Sequence, residues 1–465
     1  MSLSRRRPDH IHFIGIGGSG MSGLAEVLFN LGYSVTGSDI DESSITDRLK
    51  SLGIKIKKEH SPSNLDIVDM VVVSSAIEEN NPELKQARKL LLPVLKRAEL
   101  LSSLMNMKRA IAVSGTHGKT TTTSLLATIM TEAMLDPTFI VGGIVNSFAT
   151  NAKLGRGDYL IAEADESDGS FLMLQPSMTI LTNIDSDHLE NFDYKIENLE
   201  LAFVNFVKKL PFNGLAIVCG DDTSIKKLIP SFSRQVVTYG FKKSNDYIIT
   251  EYVSKELKSE FFVKSVYGND FRVKLNLPGK HNALNALAAS IAALEEGISV
   301  INIQSALEKF SGIARRIQTL GEIQSDKNKI LLLDDYGHHP TELKMTLEAI
   351  RESFPGRSIS MVFQPHRYSR TKLLYKEFIQ VLQLPDELLL LQIYPAGEKE
   401  IKGITSKFLA EGIKKAGYKK VRLAESELSV LSFIEEKLKE KNGIILFQGA
   451  GDISYLSKKV MDQFS

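Results

Sequence analysis

The residues best placed to do chemistry are Gly115-Thr116-His117-Gly118-Lys119-Thr120-Thr121, which follow an apolar run beginning at Ile111 and open a helix-like segment. A glycine turn at such a junction frees backbone N–H groups to face phosphate oxygens, and the helix start adds the positive end of its dipole. Lys119 supplies a mobile cation, and Thr120 offers a hydroxyl to Mg2+. The spacing is that of a shortened phosphate-binding loop, because position 113 is Val and the first glycine is Gly115. An ordinary glycine turn before a helix would not need lysine and threonine in this register. Nucleoside triphosphate chemistry is the expectation.

Other apolar runs end in groups that suit a metal ion beside such a phosphate. Tyr159-Leu-Ile-Ala breaks into Glu163, Asp165, Glu166 and Asp168, and Met178-Thr-Ile-Leu delivers Asn183, Asp185, Asp187 and His188. Carboxylates at the C-terminal ends of strands are a usual means of holding Mg2+ near a ligand, with a solvated acidic turn as the plainer alternative. His188 reads as a metal ligand, a phosphate contact or a plain surface histidine, and its proximity to the other acidic strand end favours the first. Farther on, His281, Asn282 and Asn285 share the first turn of an alanine-rich helix, where capping explains one of them but not all three. The stretches Asp334-Asp335-Tyr336-Gly-His338-His339 and Gln364-Pro-His366-Arg367-Tyr-Ser-Arg370 bring arginines and histidines to strand ends. Such groups suit carboxylate or phosphate, and equally structural ion pairs.

Strands and helices must carry these groups. Near the N-terminus, a β-rich run from His10 ends in Gly15-x-Gly17-x-x-Gly20, followed by a helical pattern over 21–31, a strand over 34–37 and then Asp39. This has the pattern that opens a doubly wound nucleotide-binding domain, with a tight strand–helix turn that needs glycines for packing as the plainer alternative; two such loops imply two different phosphate-bearing ligands or one regulatory site. An apolar strand ends at Ser74, and a helix over 82–92 follows. The last third alternates strand 330–333, helix 341–353, strand 358–363, helix 372–384, strand 387–393 and strand 443–448. Boundaries fall at about 107 and 313, giving α/β domains over 1–107, 108–313 and 314–465. The 465 residues carry a net charge of +1, which makes no electrostatic case for nucleic acid, and the single Cys219 fits a reducing compartment. No run approaches the roughly 18 apolar residues of a membrane span, and no signal peptide is recognisable, so a cytoplasmic location is expected.

Taken in order, Gly15-Ile-Gly-Gly-Ser-Gly-Met-Ser-Gly, Gly115-Thr-His-Gly-Lys-Thr-Thr-Thr-Thr, Glu163-Ala-Asp-Glu-Ser-Asp, Thr182-Asn-Ile, Asp187-His188, His281-Asn, Asp335-Tyr-Gly-His-His-Pro-Thr and Gln364-Pro-His-Arg-Tyr-Ser-Arg-Thr resemble the Mur ligases. The resemblance implies a Rossmann-like N-terminal domain for a UDP-sugar, a central P-loop ATPase domain, and a C-terminal Rossmann-like domain that closes over both substrates. It points to the branch that joins L-alanine to UDP-N-acetylmuramate with ATP and two Mg2+ ions, in a monomer or weak dimer.

By motif match, Gly15, Gly17, Gly18, Ser19, Gly20, Asp39, Ser74 and Asn183 would serve the UDP-sugar, and Gly115 to Thr121 the ATP phosphates. Thr120 and Glu163 would hold one Mg2+ and His188 the other. His281, Asn282 and Asn285 match the adenine side, and Arg316 and Asp335 match nucleotide contacts. Tyr336, His338, Arg367 and Arg370 match the region for the incoming amino acid and the reacting carboxylate, with His338 a candidate base.

Glu190 departs from the family's more common Asp. Ala202 and Phe203 stand where sister ligases carry a carbamylated lysine, which the alanine-adding branch also generally lacks. Competing expectations are a recycling ligase that adds a preformed peptide, a nicotinamide-dependent oxidoreductase, and a non-enzymatic nucleotide switch.

Overall fold

The computed structural model describes residues 8–187, 189–324, 328–439 and 442–464, without the side chains of Ser19 and Ser44. The chain divides into two compact units. One comprises the chain up to Tyr252 with Phe261–Leu275 and Asn282–Ser311; the other comprises Val253–Glu260, Asn276–His281 and the chain from Gly312. Among the described residues, no helix is long and apolar enough to cross a membrane.

The first unit contains two sheets. Its five-stranded sheet runs Lys55–Lys57, Ser34–Ser38, His10–Ile14, Met70–Val73, Val94–Lys96, and every pairing is parallel. Met70–Val73 is apolar at every position because both faces of a parallel sheet are covered. Strand order reverses between His10–Ile14 and Met70–Val73, which opens a crevice at their carboxyl ends. The Gly15 turn and Ser74 meet there.

In the ten-stranded sheet, Arg109–Ser114 lies between Met178–Leu181 and Tyr159–Glu163, parallel to both. Their carboxyl ends therefore deliver the phosphate loop, the acidic run and Asn183 to one edge. Helix Ser19–Asn30 rests on the hairpin Thr138–Val145 and Thr150–Lys153 at the other end of this sheet. Gly23 permits that approach, since a Cβ there would lie 3.1 Å from both Ala152 Cβ and Ile140 Cγ2.

The second unit is built on a six-stranded sheet ordered Gln318–Gln324, Lys329–Asp335, Gly443–Gln448, Ser358–Phe363, Glu387–Leu390, Val421–Leu423. Only Gln318–Gln324 is antiparallel to its neighbour. Apolar layers cover both faces, one around Phe363 and Phe378, the other around Phe433 and Phe447.

The expected helix over 372–384 is instead two short helices, Tyr368–Leu373 and Tyr375–Val381, broken at Leu374. Helix formation starts earlier because Arg367, at φ +74°, turns the chain and its carbonyl accepts from Thr371 Oγ1 at 2.9 Å. The polar Tyr-Ser-Arg-Thr run, lacking apolar periodicity, gave no sign of a helix. The helix expected over 82–92 ends at Lys89, and the strand expected over 387–393 leaves regular pairing after Leu390.

Phe378 is fully buried with its ring 5.8 Å from that of Phe363. Phe378→Ala is expected to destabilise the protein by about 3–5 kcal/mol, read from the shift of its denaturant unfolding transition.

Candidate active site

Strand Arg109–Ser114 is anchored at its end by Ser114 Oγ, which donates to Ala164 O at 2.7 Å. Gly115 follows at φ +127°, and a Cβ there would fall 2.2 Å from Thr182 Oγ1, so the position admits only glycine. The neighbouring strand end grips the loop. Asn183 Oδ1 accepts from the His117 N–H at 2.8 Å, while Asn183 Nδ2 and Thr182 Oγ1 donate to His117 O at 2.9 and 2.6 Å. Thr116 N–H reaches Asn183 O at 3.1 Å, and His117 Nε2 lies 3.1 Å from Asp185 Oδ2. Gly118, at φ +86°, forms the N-terminal boundary of helix Lys119–Glu132 with Asn285 Oδ1 close above it. These contacts fix the loop against the neighbouring strand end and the helix that carries Asn285.

Lys119 Nζ donates to Gly115 O (2.7 Å), Thr116 O (3.2 Å) and both Glu166 oxygens (2.8 and 3.1 Å), with Asp165 at 4.0 Å. Burial works against its ammonium, but Glu166, Asp165 and Glu163 outweigh that and raise its pKa. Burial likewise pushes the Glu166 carboxyl up, against the pull of Lys119. Glu163 is raised by burial although Gly142 N–H donates to it at 2.6 Å and the Thr120 hydroxyl hydrogen-bonds it. Asp165 is also penalised by burial, yet Lys119 and the Ser167 N–H hold it below the usual range. Thr120 and Glu163 thus form an oxygen-only donor pair of the kind Mg2+ prefers.

The glycine turn of the first sheet is tied to the strand beside it. Gly15 and Ile16 donate their N–H groups to Ser38 O at 2.9 and 3.1 Å, and Gly17 N–H reaches Asp39 Oδ2 at 2.7 Å. Helix Ser19–Asn30 then begins with no side-chain cap and no acid in its first turn. Its N-terminal N–H groups and dipole are available to an anion. A cavity of about 230 Å3 runs from Gly18, Gly20 and Ser74 to Glu163 and Asp165, with Arg97 on its wall. Gly20 makes room for that guanidinium, since a Cβ there would lie 3.1 Å from Arg97 Cδ and Nη1. Arg97 donates to Ser170 Oγ at 3.5 Å and helps lower Asp165.

The second unit gathers its own set at the carboxyl ends of its strands. Asp335 is buried and accepts from Ile317 N–H (3.0 Å), Gly337 N–H (3.0 Å), Thr346 Oγ1 (3.1 Å) and Gln448 Nε2 (2.7 Å). Burial nevertheless raises its pKa, opposed mainly by Arg316. The guanidinium groups of Arg315 and Arg316 both lie over the Tyr336 ring, 5.0 and 5.4 Å from its centroid. His338 packs against the rings of Tyr336 and His366, both at 5.5 Å, and His366 stacks on Tyr394. Burial, then Arg370 and Arg367, bring His366 down to about 4, so at neutral pH its Nδ1 accepts from Arg370 Nη1 at 3.2 Å. Arg367 Nε stands 3.2 Å from Glu398. His281, partly buried beside Arg316, is likewise brought down to about 4, chiefly by burial.

Three family models match in sequence: the Mur ligase family catalytic domain over residues 10–109, the Mur ligase middle domain over 113–293, and the Mur ligase glutamate ligase domain over 315–451. The solved UDP-N-acetylmuramate-alanine ligase of Thermotoga maritima is 31% identical, with 98% of this chain and 99% of that chain covered and a TM-score of 0.82. The chain belongs to the Mur ligase family. A murein peptide ligase from Psychrobacter arcticus shares the fold at 24% identity, with 98% of each chain covered and a TM-score of 0.70. So does a MurF ligase from Thermotoga maritima solved with ADP, at 16% identity, 92% and 96% coverage and a TM-score of 0.61.

Within this Mur ligase the expected residues divide. Gly115, Thr116, His117, Gly118, Lys119, Thr120, Thr121 and Glu163 meet at one edge, with Asn285 against the loop and Asn282 buried beside it at 3.4 Å. Gly15, Gly17, Gly18, Gly20, Asp39 and Ser74 meet at the first sheet's crevice. Asn183, expected at the UDP-sugar, commits its amide to His117 and so shapes the phosphate loop. Asp39 closes on Gly17, and the Asp335 carboxylate is engaged inside its own unit. His188 lies outside the described residues. Arg97 went unnoticed because it sits in no motif, and only the cavity reveals it.

Lys119 is the only cation paired with the buried Glu166 among the described residues. Lys119→Met should lower stability at pH 8 by about 3–5 kcal/mol, the penalty for one buried uncompensated charge. The deficit should shrink as pH falls, because Glu166, already raised and now without Lys119, then takes a proton. Denaturation of both proteins at pH 8 and pH 5.5 checks the sign.

Proposed function

We propose that this Mur ligase joins L-alanine to the lactyl carboxylate of UDP-N-acetylmuramate, consuming ATP through an acyl-phosphate intermediate, in cytoplasmic peptidoglycan precursor synthesis. The observation that carries the reading is the single cavity lined at one end by the Gly18–Gly20 helix start and at the other by Glu163 and Asp165. A sugar nucleotide whose diphosphate lies on the first can extend its acid toward the second. The 31% likeness to the Thermotoga maritima alanine ligase supports the same branch.

In this scheme the lactyl carboxylate attacks the γ-phosphate of ATP, ADP leaves, and the amine of alanine displaces phosphate to form the amide. The first step brings like charges together, which is costly in a partly dry site. Lys119 moves from the Gly115 and Thr116 carbonyls to the phosphates and offsets part of that repulsion, while the loop N–H groups align the triphosphate. Thr120 and Glu163 would hold Mg2+, which when bound neutralises phosphate charge. Arg97 faces the substrate's anionic part. His281, Asn282, Asn285 and Arg316 are assigned to the nucleotide. In the second unit, Arg367 and Arg370 would take the carboxylate of alanine, and Tyr336 and His338 its amine, with His338 the candidate base. The neutral His366 lets Arg370 keep its charge directed at a carboxylate.

A recycling reading, with a preformed peptide in place of alanine, is favoured by the 28% identity to a peptide-adding ligase from Neisseria meningitides, which covers 66% of this chain at a TM-score of 0.61. Phosphate release from ATP and Mg2+ with UDP-N-acetylmuramate separates the two: alanine should be required, and peptide should not replace it. Release stimulated by peptide but not by alanine would give the recycling reading, and release indifferent to UDP-sugar would discard both. Lys119→Ala should reduce release by about 100-fold or more. Arg97→Ala should raise KM for the UDP-sugar by about 10- to 100-fold, the size of a lost charged hydrogen bond.

A further inference from the structure

One buried polar cluster lies outside the set described above. Glu83, fully buried in the first turn of helix Pro82–Lys89, collects partners from every element around it. Its Oε2 accepts from Ser38 Oγ at 2.5 Å and lies 2.9 Å from His60 Nδ1. Its Oε1 accepts from Asn64 Nδ2 at 2.6 Å and lies 3.3 Å from His12 Nε2. His12 Nδ1 and His10 Nε2 both meet Thr36 Oγ1 at 2.9 Å. The register aligns His10 with Ser34, His12 with Thr36 and Ile14 with Ser38, so this polar stripe occupies one face of the sheet. On that same face Ile14, Val71, Val73, Leu84 and Ala87 build an ordinary apolar core.

An apolar set in place of Glu83 and its polar partners together would pack there without the desolvation of a carboxylate, so mere cohesion of the domain does not call for a polar cluster at this place. The cluster does something else at Ser38. This residue ends its strand and works at both sides: its hydroxyl is held by Glu83, and its carbonyl takes the N–H groups of Gly15 and Ile16. The next residue, Asp39, takes Gly17 N–H. Three successive amides of the glycine turn are therefore taken by two adjacent residues, and beyond its strand pairing the first of them is tied down at its side chain by Glu83. His60 Nδ1, 2.9 Å from Ser38 Oγ, closes the arrangement.

We propose that Glu83 is a positioning residue for the UDP-sugar, acting through Ser38 to hold the Gly15–Gly17 turn in its ligand-receiving shape; this rests on the assignment of that turn to the UDP-sugar. The helix dipole at Pro82–Lys89 and the surrounding donors keep Glu83 charged in spite of burial, with His12, Ser38 and Asn64 holding its carboxyl below the usual range.

Steady-state kinetics on the full-length enzyme test it. Ser38→Ala, which removes one hydroxyl from the strand end, should raise KM for UDP-N-acetylmuramate by about five- to tenfold, the size of one lost hydrogen bond. The kcat and the KM values for ATP and alanine should stay within about twofold, the pattern of a lost binding interaction. Glu83→Gln should shift the same KM, and the double variant should add nothing beyond it, because both act through one link. A lowered melting temperature with an unchanged UDP-sugar KM in Ser38→Ala would show a purely structural cluster and overturn the inference. Should Glu83→Gln fail to fold, Ser38→Ala alone decides. If the unmodified enzyme shows no saturation by UDP-sugar, the functional reading itself falls and takes this inference with it; saturation with an unshifted KM removes the inference alone.

Discussion

The buried pair of Lys119 and Glu166 is the interaction on which the phosphate site depends. A cation almost removed from water needs a counter-charge, and Glu166, contributed by the end of the neighbouring strand, supplies it at 2.8 Å. The pair joins the phosphate loop to the acidic run. It also leaves Glu163 for the Thr120 hydroxyl and Asp165 for the cavity toward Arg97, so carboxylates close in sequence take separate tasks. Each task follows from what lies against the carboxylate: lysine for one, a hydroxyl and a glycine N–H for another.

The same economy recurs at the other strand ends. Asn183 holds both the N–H and the carbonyl of one loop residue, His117, and Asp335 accepts from four donors within its own unit. Both occupy positions where ligand contact is expected from the motifs, and in the structure both hold backbone and side chains of their own surroundings. Rigid loops of this kind align a triphosphate with little reorganisation at the moment of reaction. Glycine serves this end where close approach is needed. Gly115 admits Thr182, Gly20 admits Arg97, and Gly118 admits Asn285.

Much of the fold was legible because parallel α/β sheets write themselves as apolar runs ending in polar residues. His10–Ile14, Tyr159–Glu163, Ser358–Phe363 and Gly443–Gln448 all stand where the pattern places them. Edge strands such as Thr150–Lys153 and Val421–Leu423 were missed, since short strands half open to solvent carry no such run. The broken helix after Arg367 was misjudged for a related reason. Its start depends on one left-handed residue and a threonine hydroxyl, neither of which has a periodic signature.

The sequence by itself determined the chemistry available: glycine, lysine and threonine in loop register, carboxylates at strand ends, arginines and histidines near the C-terminal strands. Local spacing sets these, because a loop of fixed length after a strand can present its groups in few ways. Only the tertiary structure decided which carboxylate pairs with Lys119, that Asn183 serves the loop, and that Arg97 faces the acids across a shared cavity. Those choices join residues tens of positions apart, and they depend on strand order, which sequence spacing does not specify. Partnership across a sheet is a property of topology; composition at a strand end is a property of the chain.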